Sequence, residues 1–263
     1  MSGAFALGSI LAFYEIVTRL KLSRNPLWLT LPWVLFPPRW FLLSRTGASE
    51  PTFIFFSLLL WYFFIKGKHW WAAIMGALAQ LTRFTAVHWW LAIVIIFAVQ
   101  TIKTRRLPLK QMAPYILLPL ALFAHFYMFQ IRYHNFWQFF SVQNQFSQAH
   151  WPPFWVFTRN QTFGIQTYWL EGHALFYILY LAGILALLNK RTWKLAVFGL
   201  SFYLPYIFWV HMDLRRLLVP LVPLLLIGGQ KFFSHKATVI AIYLLYPVVF
   251  ANFIGFTSWN LAP

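Results

Sequence analysis

Charge in this chain is kept to the ends of its apolar runs. The stretch from Arg45 to Gln100 shows this most plainly. A polar clip, Ser49-Glu50-Pro51, opens one apolar run, and Lys66-Gly67-Lys68-His69 turns the chain. A second run, rich in small residues, ends at Leu81-Thr82-Arg83-Phe84-Thr85, and a third follows. This is the pattern of membrane crossings joined by tight loops. Of 263 residues, 61% are hydrophobic and 10% charged, more apolar surface than a soluble fold of this size could hide. Lipid-embedded backbone must satisfy its hydrogen bonds within helices or closed barrels. The expected fold class is therefore all-α: a polytopic transmembrane helical bundle, one domain over residues 1–263.

About ten apolar segments can be read, at 2–18, 27–43, 51–65, 70–82, 85–102, 112–130, 172–188, 194–210, 216–230 and 237–257. Several are shorter than a straight span requires, which suits helices that thin the bilayer or stay buried in the bundle. Pro37-Pro38 and the pair Pro220 and Pro223 should break their helices. One long loop, at about 131–171, alternates Gln and Asn with aromatic residues and suits an amphipathic helix on the outer membrane surface. It offers the flat aromatic faces and neutral amides that a sugar site needs.

Assigning the loops alternately to two sides sorts the charge. One side carries 14 basic residues and the other 7, together the 21 in the chain. Every Lys falls on the first side, which is therefore expected to be cytoplasmic. The outer basics, Arg39, Arg45, Arg83, Arg132, Arg159, Arg215 and Arg216, are all Arg. Arg is the better fork for a phosphate. Three of the four acids, Glu50, Glu171 and Asp213, share that outer side.

Other classes are disfavoured. A formal charge of +17 on so apolar a chain points to anionic membrane lipids rather than nucleic acid. With no Cys, disulfides and thiolate metal sites are excluded. The eight His show no metal-ligand spacing, so no metal and no cofactor are expected. There is no phosphate-cradling Gly loop, no Gly-x-Ser-x-Gly and no Asp-x-Asp. Asn160-Gln161-Thr162 matches a glycosylation acceptor.

A few polar residues admit two readings each. Glu50 is either an acid at a helix start behind a Ser49 cap or a group that orients substrate in an outer cavity. Arg83 either snorkels to outer headgroups or faces a cavity that receives an anion. Arg215 and Arg216 either pair with Asp213 at the surface or, with free backbone N–H groups at a helix start, form an anion site. Thr82 and Thr85 are read as capping or packing groups and His211 as interfacial. Glu171 and His173 are read as a helix start, and Glu15 as the i,i+4 partner of Arg19.

Ser-Glu-Pro before an apolar run, a basic turn, a Gly/Ala-rich run and then Leu-Thr-Arg resembles the multi-spanning glycosyltransferases of the GT-C type. Within them it is closest to the PIG-V-like mannosyltransferases. The likeness covers about residues 1–100 and returns near Asp213 to Leu226. It implies an enzyme that takes a sugar, mannose by family analogy, from a polyprenyl- or dolichyl-phosphate donor at the outer face and passes it to a lipid or glycan acceptor. By the same resemblance Arg83, Arg215 and Arg216 would bind the lipid phosphate, and Asp213 and Glu50 are the candidate catalytic acids. The resemblance also implies a first span and an acidic outer loop ahead of the part matching residues 2–18. A truncated copy, a split enzyme completed by a partner chain, or a degenerate copy are the readings of that difference. The membrane would be the plasma membrane in a prokaryote and the endoplasmic reticulum in a eukaryote. Two other functions remain open: a transporter or flippase of an anionic lipid or solute that uses the same arginines, and a non-catalytic membrane scaffold left after loss of the catalytic loop.

Overall fold

The computed structural model describes residues 2–146, 148–149, 151, 153–154, 167–210 and 214–258. Helix dominates. In chain order the helices are α1 (Ser2–Arg19), α2 (Pro26–Thr30), α3 (Pro38–Leu43), α4 (Glu50–Ile65), α5 (His69–Thr82), α6 (Val87–Thr104), α7 (Leu109–Met112) and α8 (Leu117–Tyr133). They continue with α9 (Gln138–Phe146), α10 (Thr167–Ala186), α11 (Trp193–Tyr206), α12 (Leu214–Leu218), α13 (Val222–Gly228), α14 (Gln230–Phe233), α15 (Lys236–Leu244) and α16 (Tyr246–Ser258). A two-residue antiparallel pair joins β1 (Gln148–Ala149) to β2 (Trp209–Val210), with Gln148 opposite Val210. The all-α class expected from the sequence is the one observed.

The ten expected segments do not all become long helices. Among the described residues, two are long and apolar enough to cross a membrane: Phe84–Thr104 and Leu109–Tyr133, each including its 3-10 lead-in. Glu50–Ile65 and Ala174–Ala186 are shorter apolar helices. Proline accounts for much of the difference. Segment 27–43 divides into α2, a 3-10 turn at Leu31–Val34 and α3, with Pro32, Pro37 and Pro38 at the breaks. Segment 216–230 likewise divides around Pro220 and Pro223 into α12, a 3-10 turn and α13. Proline has no N–H to donate and collides with the preceding turn, so it favours helix starts, as at these breaks, although Pro205 lies within the last turn of α11. Helix α10 begins at Thr167, so Glu171 and His173 lie within it rather than opening it.

The core is aromatic and centred on α4. Phe53, Ile54, Leu58, Leu60, Trp61 and Phe64 are all buried there. Trp89 of α6 stacks on Phe202 of α11 at 4.7 Å, and its indole N–H donates to Ser57 Oγ at 2.9 Å. A buried indole N–H would be costly without such a partner. Helices α10 and α13 meet through glycine: a Cβ on Gly228 would lie 1.9 Å from the Gly183 carbonyl oxygen, so only a residue without one allows that approach.

The connections sort to two ends of the bundle as the alternating charge suggests. At one end Arg191 Nη2 donates to the Leu20 carbonyl at 2.6 Å, and His69 Nδ1 meets the Tyr115 hydroxyl at 2.9 Å. Lys103 lies over the Trp193 ring and Lys236 over Trp28. At the other end Ser2 Oγ donates to the Ala48 carbonyl, Arg83 reaches Ser49, and Phe84 packs on Phe139 at 4.7 Å. Between the ends the outer faces of α6 and α8 expose Leu91, Val94, Ile95, Leu120 and Phe123.

Part of the 131–171 loop is helical. Asn135 Oδ1 accepts the Trp137 N–H at 2.9 Å and turns the chain into α9. Phe136, Phe139 and Phe140 then pack back onto Phe126 and Phe129 of α8. Residues 155–166, with the Asn160 glycosylation pattern, and residues 211–213, with His211 and Asp213, lie outside the described residues.

Candidate functional site

Glu50 is the first residue of α4, followed by Pro51, and its side chain is 0% exposed. Ser49 does not cap that helix. It has helical backbone angles (φ −78°, ψ −15°) and makes no capping bond. Its hydroxyl instead accepts from Arg83 Nη1 at 3.3 Å. The expected cap is thus replaced by a tertiary contact. The carboxylate is matched by two guanidinium groups. Arg83 Nη1 and Arg216 Nε both donate to Glu50 Oε1, the second at 2.5 Å.

Local structure explains how each arginine gets there. Arg83 follows the last turn of α5, where the backbone turns extended (φ −148°, ψ 130°) before the 3-10 turn Phe84–Ala86. Gln80 Nε2 closes over this break by donating to the Phe84 carbonyl at 2.9 Å. Arg216 comes from α12, the short helix ahead of the proline break at Pro220. Both arginines therefore stand where a helix is interrupted. Their side chains are 17% and 21% exposed. A buried carboxylate is strongly disfavoured alone, and two charge-assisted contacts offset that cost. Two cations on one anion leave the triad with net charge +1.

Beside the triad is a cavity of about 550 Å³. Ser49, Thr82, Arg83, Thr85 and Arg216 line it together with His88, His125 and Tyr206. Phe84, Phe129, Phe139, Phe140, Pro205, Trp209 and Leu217 make its apolar wall. The site thus offers spare guanidinium donors next to aromatic faces. Several polar atoms around it are buried and have no hydrogen-bond partner: Glu50 Oε2, Thr85 Oγ1 and His125 Nε2. Such an orphaned group costs roughly 1–3 kcal/mol, so an arrangement with three of them is unusual unless something else satisfies them.

The five residues singled out in the sequence fall as follows. Glu50, Arg83 and Arg216 come together, and the two arginines line the cavity. Arg215 is half-buried on the same turn as Arg216 but does not line the cavity. Asp213 lies outside the described residues. Thr82 lines the cavity, with its hydroxyl donating to the Leu78 carbonyl at 2.7 Å. Glu15 and Arg19 form the expected i,i+4 pair, at 2.6 Å. Among the described residues no group of three His, Cys, Asp or Glu is gathered in a way that could hold a metal ion.

His88 and His125 were not singled out, although each stands inside an apolar run. An ionisable residue within such a run marks a functional site by default, and that signal was available. The parts of the wall from α9 and α11 carry no such mark, because an aromatic residue reads the same in a core and in a cavity. Comparison of the chain with known protein families, curated proteins and solved structures returns no match.

Proposed function

We propose that this chain is an integral multi-pass membrane protein of about ten hydrophobic segments, with a GT-C-like bundle. In this reading it binds a polyprenyl- or dolichyl-phosphate sugar at its extracytoplasmic end and transfers the sugar, most simply mannose, to a lipid or glycan acceptor. The observation that carries the reading is the convergence of Arg83 and Arg216 on Glu50 at the edge of an aromatic cavity. A triad of net charge +1 matches the single negative charge of a phosphodiester, and the apolar wall suits the lipid attached to it. The apolar side chains exposed along α6 and α8 support a lipid environment, because a soluble protein rarely leaves so large a contiguous patch open to water.

In the reaction the acceptor oxygen bonds to the anomeric carbon while that carbon's bond to the phosphate oxygen breaks. The acceptor proton passes to a base, and the lipid phosphate leaves with its charge stabilised by the two guanidinium groups. Glu50 serves as their anchor in this scheme: its Oε1 is already shared by both arginines, and it does not line the cavity. Asp213 remains the candidate base. A flippase of an anionic lipid is the second reading. It is favoured by the position of both arginines at helix breaks, where transporters build their substrate sites.

The test is release of labelled sugar from a polyprenyl-phosphate mannose by the purified protein in lipid, with an acceptor mixture. Transfer that is lost in Arg216→Gln supports the transferase. Movement of the intact donor across the vesicle, with no release, replaces it with the flippase. Orientation is tested in sealed vesicles with an impermeant thiol reagent. Arg132→Cys should label from the outer side and Lys68→Cys should not.

A further inference from the structure

The end opposite the triad holds a second cavity, of about 520 Å³. Its lining is polar throughout. Ser23, Arg24 and Asn25 come from the connection between α1 and α2, and Gln230, Lys231 and Ser234 from α14 and its C-terminal cap. In a chain that is 61% hydrophobic, a cavity with no apolar wall is not ordinary packing space. The lining carries two cations and no carboxylate. Glu15, the acid nearest in sequence to Arg24, is taken by Arg19.

The two walls are fixed by contacts outside the cavity. Lys236 lies over the Trp28 ring, and the Tyr243 hydroxyl donates to the Leu31 carbonyl at 3.1 Å, so α15 is tied to α2 and the turn after it. Phe233 is buried and packs on Phe36 at 5.6 Å, which anchors α14. The lining groups themselves stay open. Lys103, Lys194 and Lys236 rest on rings, whereas Arg24 and Lys231 are exposed and, among the described residues, have neither a ring nor a carboxylate as partner. Ser23 Oγ accepts the Asn25 N–H at 3.2 Å and keeps its own proton to donate. The Asn25 side chain makes no capping bond to α2. Two cations, a hydroxyl donor and neutral amides around one opening match an oxygen-rich anion, and phosphate best. Beside them Leu27 and Phe232 are 58% and 63% exposed. Apolar side chains next to open cations suit a lipid, which meets them with its chains and its headgroup together.

We propose that Arg24 and Lys231 form a phosphate-binding site at the lysine-bearing end, occupied by the headgroup of an anionic phospholipid. The lipid source rests on the membrane reading above and is independent of sugar transfer. Arg24 serves as the fork for two phosphate oxygens, and Lys231 adds a point charge. Ser23 donates its hydroxyl proton to the same group. The Asn25 and Gln230 amides meet hydroxyl groups of the headgroup.

The experiment measures equilibrium binding of labelled probes by the purified full chain in uncharged detergent, reading affinity and the number bound. The probes are a short-chain phosphatidylglycerol, the phosphatidylcholine with the same chains, and glycerol phosphate. Phosphatidylglycerol should bind about tenfold tighter than phosphatidylcholine. Arg24→Gln and Lys231→Gln should each weaken it about fivefold. The double variant should hold one lipid fewer, and any lipid at Arg83 and Arg216 should remain. Lys110→Gln removes an exposed charge that does not line the cavity and should bind as the parent does. All of these variants should melt as the parent does, because the side chains they change are exposed. An equal loss in Lys110→Gln overturns the site, since charge alone would then account for binding. So does phosphatidylcholine that binds as tightly as phosphatidylglycerol, or a double variant that binds as the parent does. Glycerol phosphate that binds as tightly as the lipid, and is lost in the double variant, keeps the phosphate site and overturns its lipid source. Protein that stays in solution without detergent overturns the membrane reading and the lipid source with it. Phosphatidylglycerol binding that depends on Arg24 and Lys231 in a protein without sugar transfer supports this site and counts against the transferase alone.

Discussion

The two ends of the bundle hold their cations differently. At the end with the cavity, two arginines share one fully buried carboxylate oxygen, and the chain positions that join are 166 apart for Arg216 and Glu50. At the opposite end, lysines rest on rings: Lys66 over Tyr62 at 6.0 Å, Lys103 over Trp193 at 5.6 Å and Lys236 over Trp28 at 5.8 Å. There Arg191 binds a main-chain carbonyl. A flexible ammonium over a half-buried ring holds loosely and keeps its water. A planar guanidinium locked on a buried carboxylate is fixed in direction before any ligand arrives. The difference separates cations resting on rings from cations locked on a carboxylate.

Removing the shared carboxylate should have the largest effect. Glu50→Ala leaves two partly buried guanidinium groups without their counterion and should lower stability by about 3–5 kcal/mol, read by thermal unfolding in detergent. A loss below about 1 kcal/mol would mean that the triad is no tighter than a surface pair, and the contrast between the ends would vanish.

Packing, not charge, fixes the helices toward the lysine end. Gly228→Ala places a methyl against the Gly183 carbonyl and should destabilise by about 1–3 kcal/mol as α10 and α13 are forced apart. An unchanged melting temperature would show that the two helices can part freely. The lysines come next. Lys103→Gln gives up its ring contact and should cost about 0.5–1 kcal/mol, with no change in binding of an anionic lipid at the other end. A loss of binding as large as that of Arg216→Gln would erase the distinction drawn here. The smallest effect belongs to Glu15→Gln. Its pair with Arg19 is exposed on both sides, so melting at low and high salt should not shift measurably. A clear salt-dependent loss would show that this end too relies on an ion pair.

Much of the site could be read in the residues, and the rest could not. Arg83, Arg215 and Arg216 stood out because every cation assigned to the outer side is Arg; all three were expected at one site, and Arg83 and Arg216 line the cavity while Arg215 does not. The role of Glu50 was legible only in part. A Ser before a Glu-Pro reads as a helix cap, because capping is a local rule, whereas the observed partners come from α5 and α12. His125 stands inside an apolar run, but that it meets a cavity with Arg83 and Arg216 was decided by which helix faces pack together. The proline breaks at Pro37-Pro38 and Pro220 were legible, since proline removes a backbone donor from its own helix.

By itself the sequence determined the helical class, the sorting of its connections to two ends and the places where helices stop. Each of these follows from one-dimensional facts: hydrophobic run length, charge at the run ends and missing backbone N–H groups. Only the tertiary structure decided that Glu50 is the shared counterion of two distant arginines, that Ser49 serves Arg83 instead of its own helix, and that α9 and α11 wall a cavity. Those outcomes depend on which faces meet when helices pack. A buried charge takes the counterion that packing brings within a few ångströms, however far away it lies along the chain.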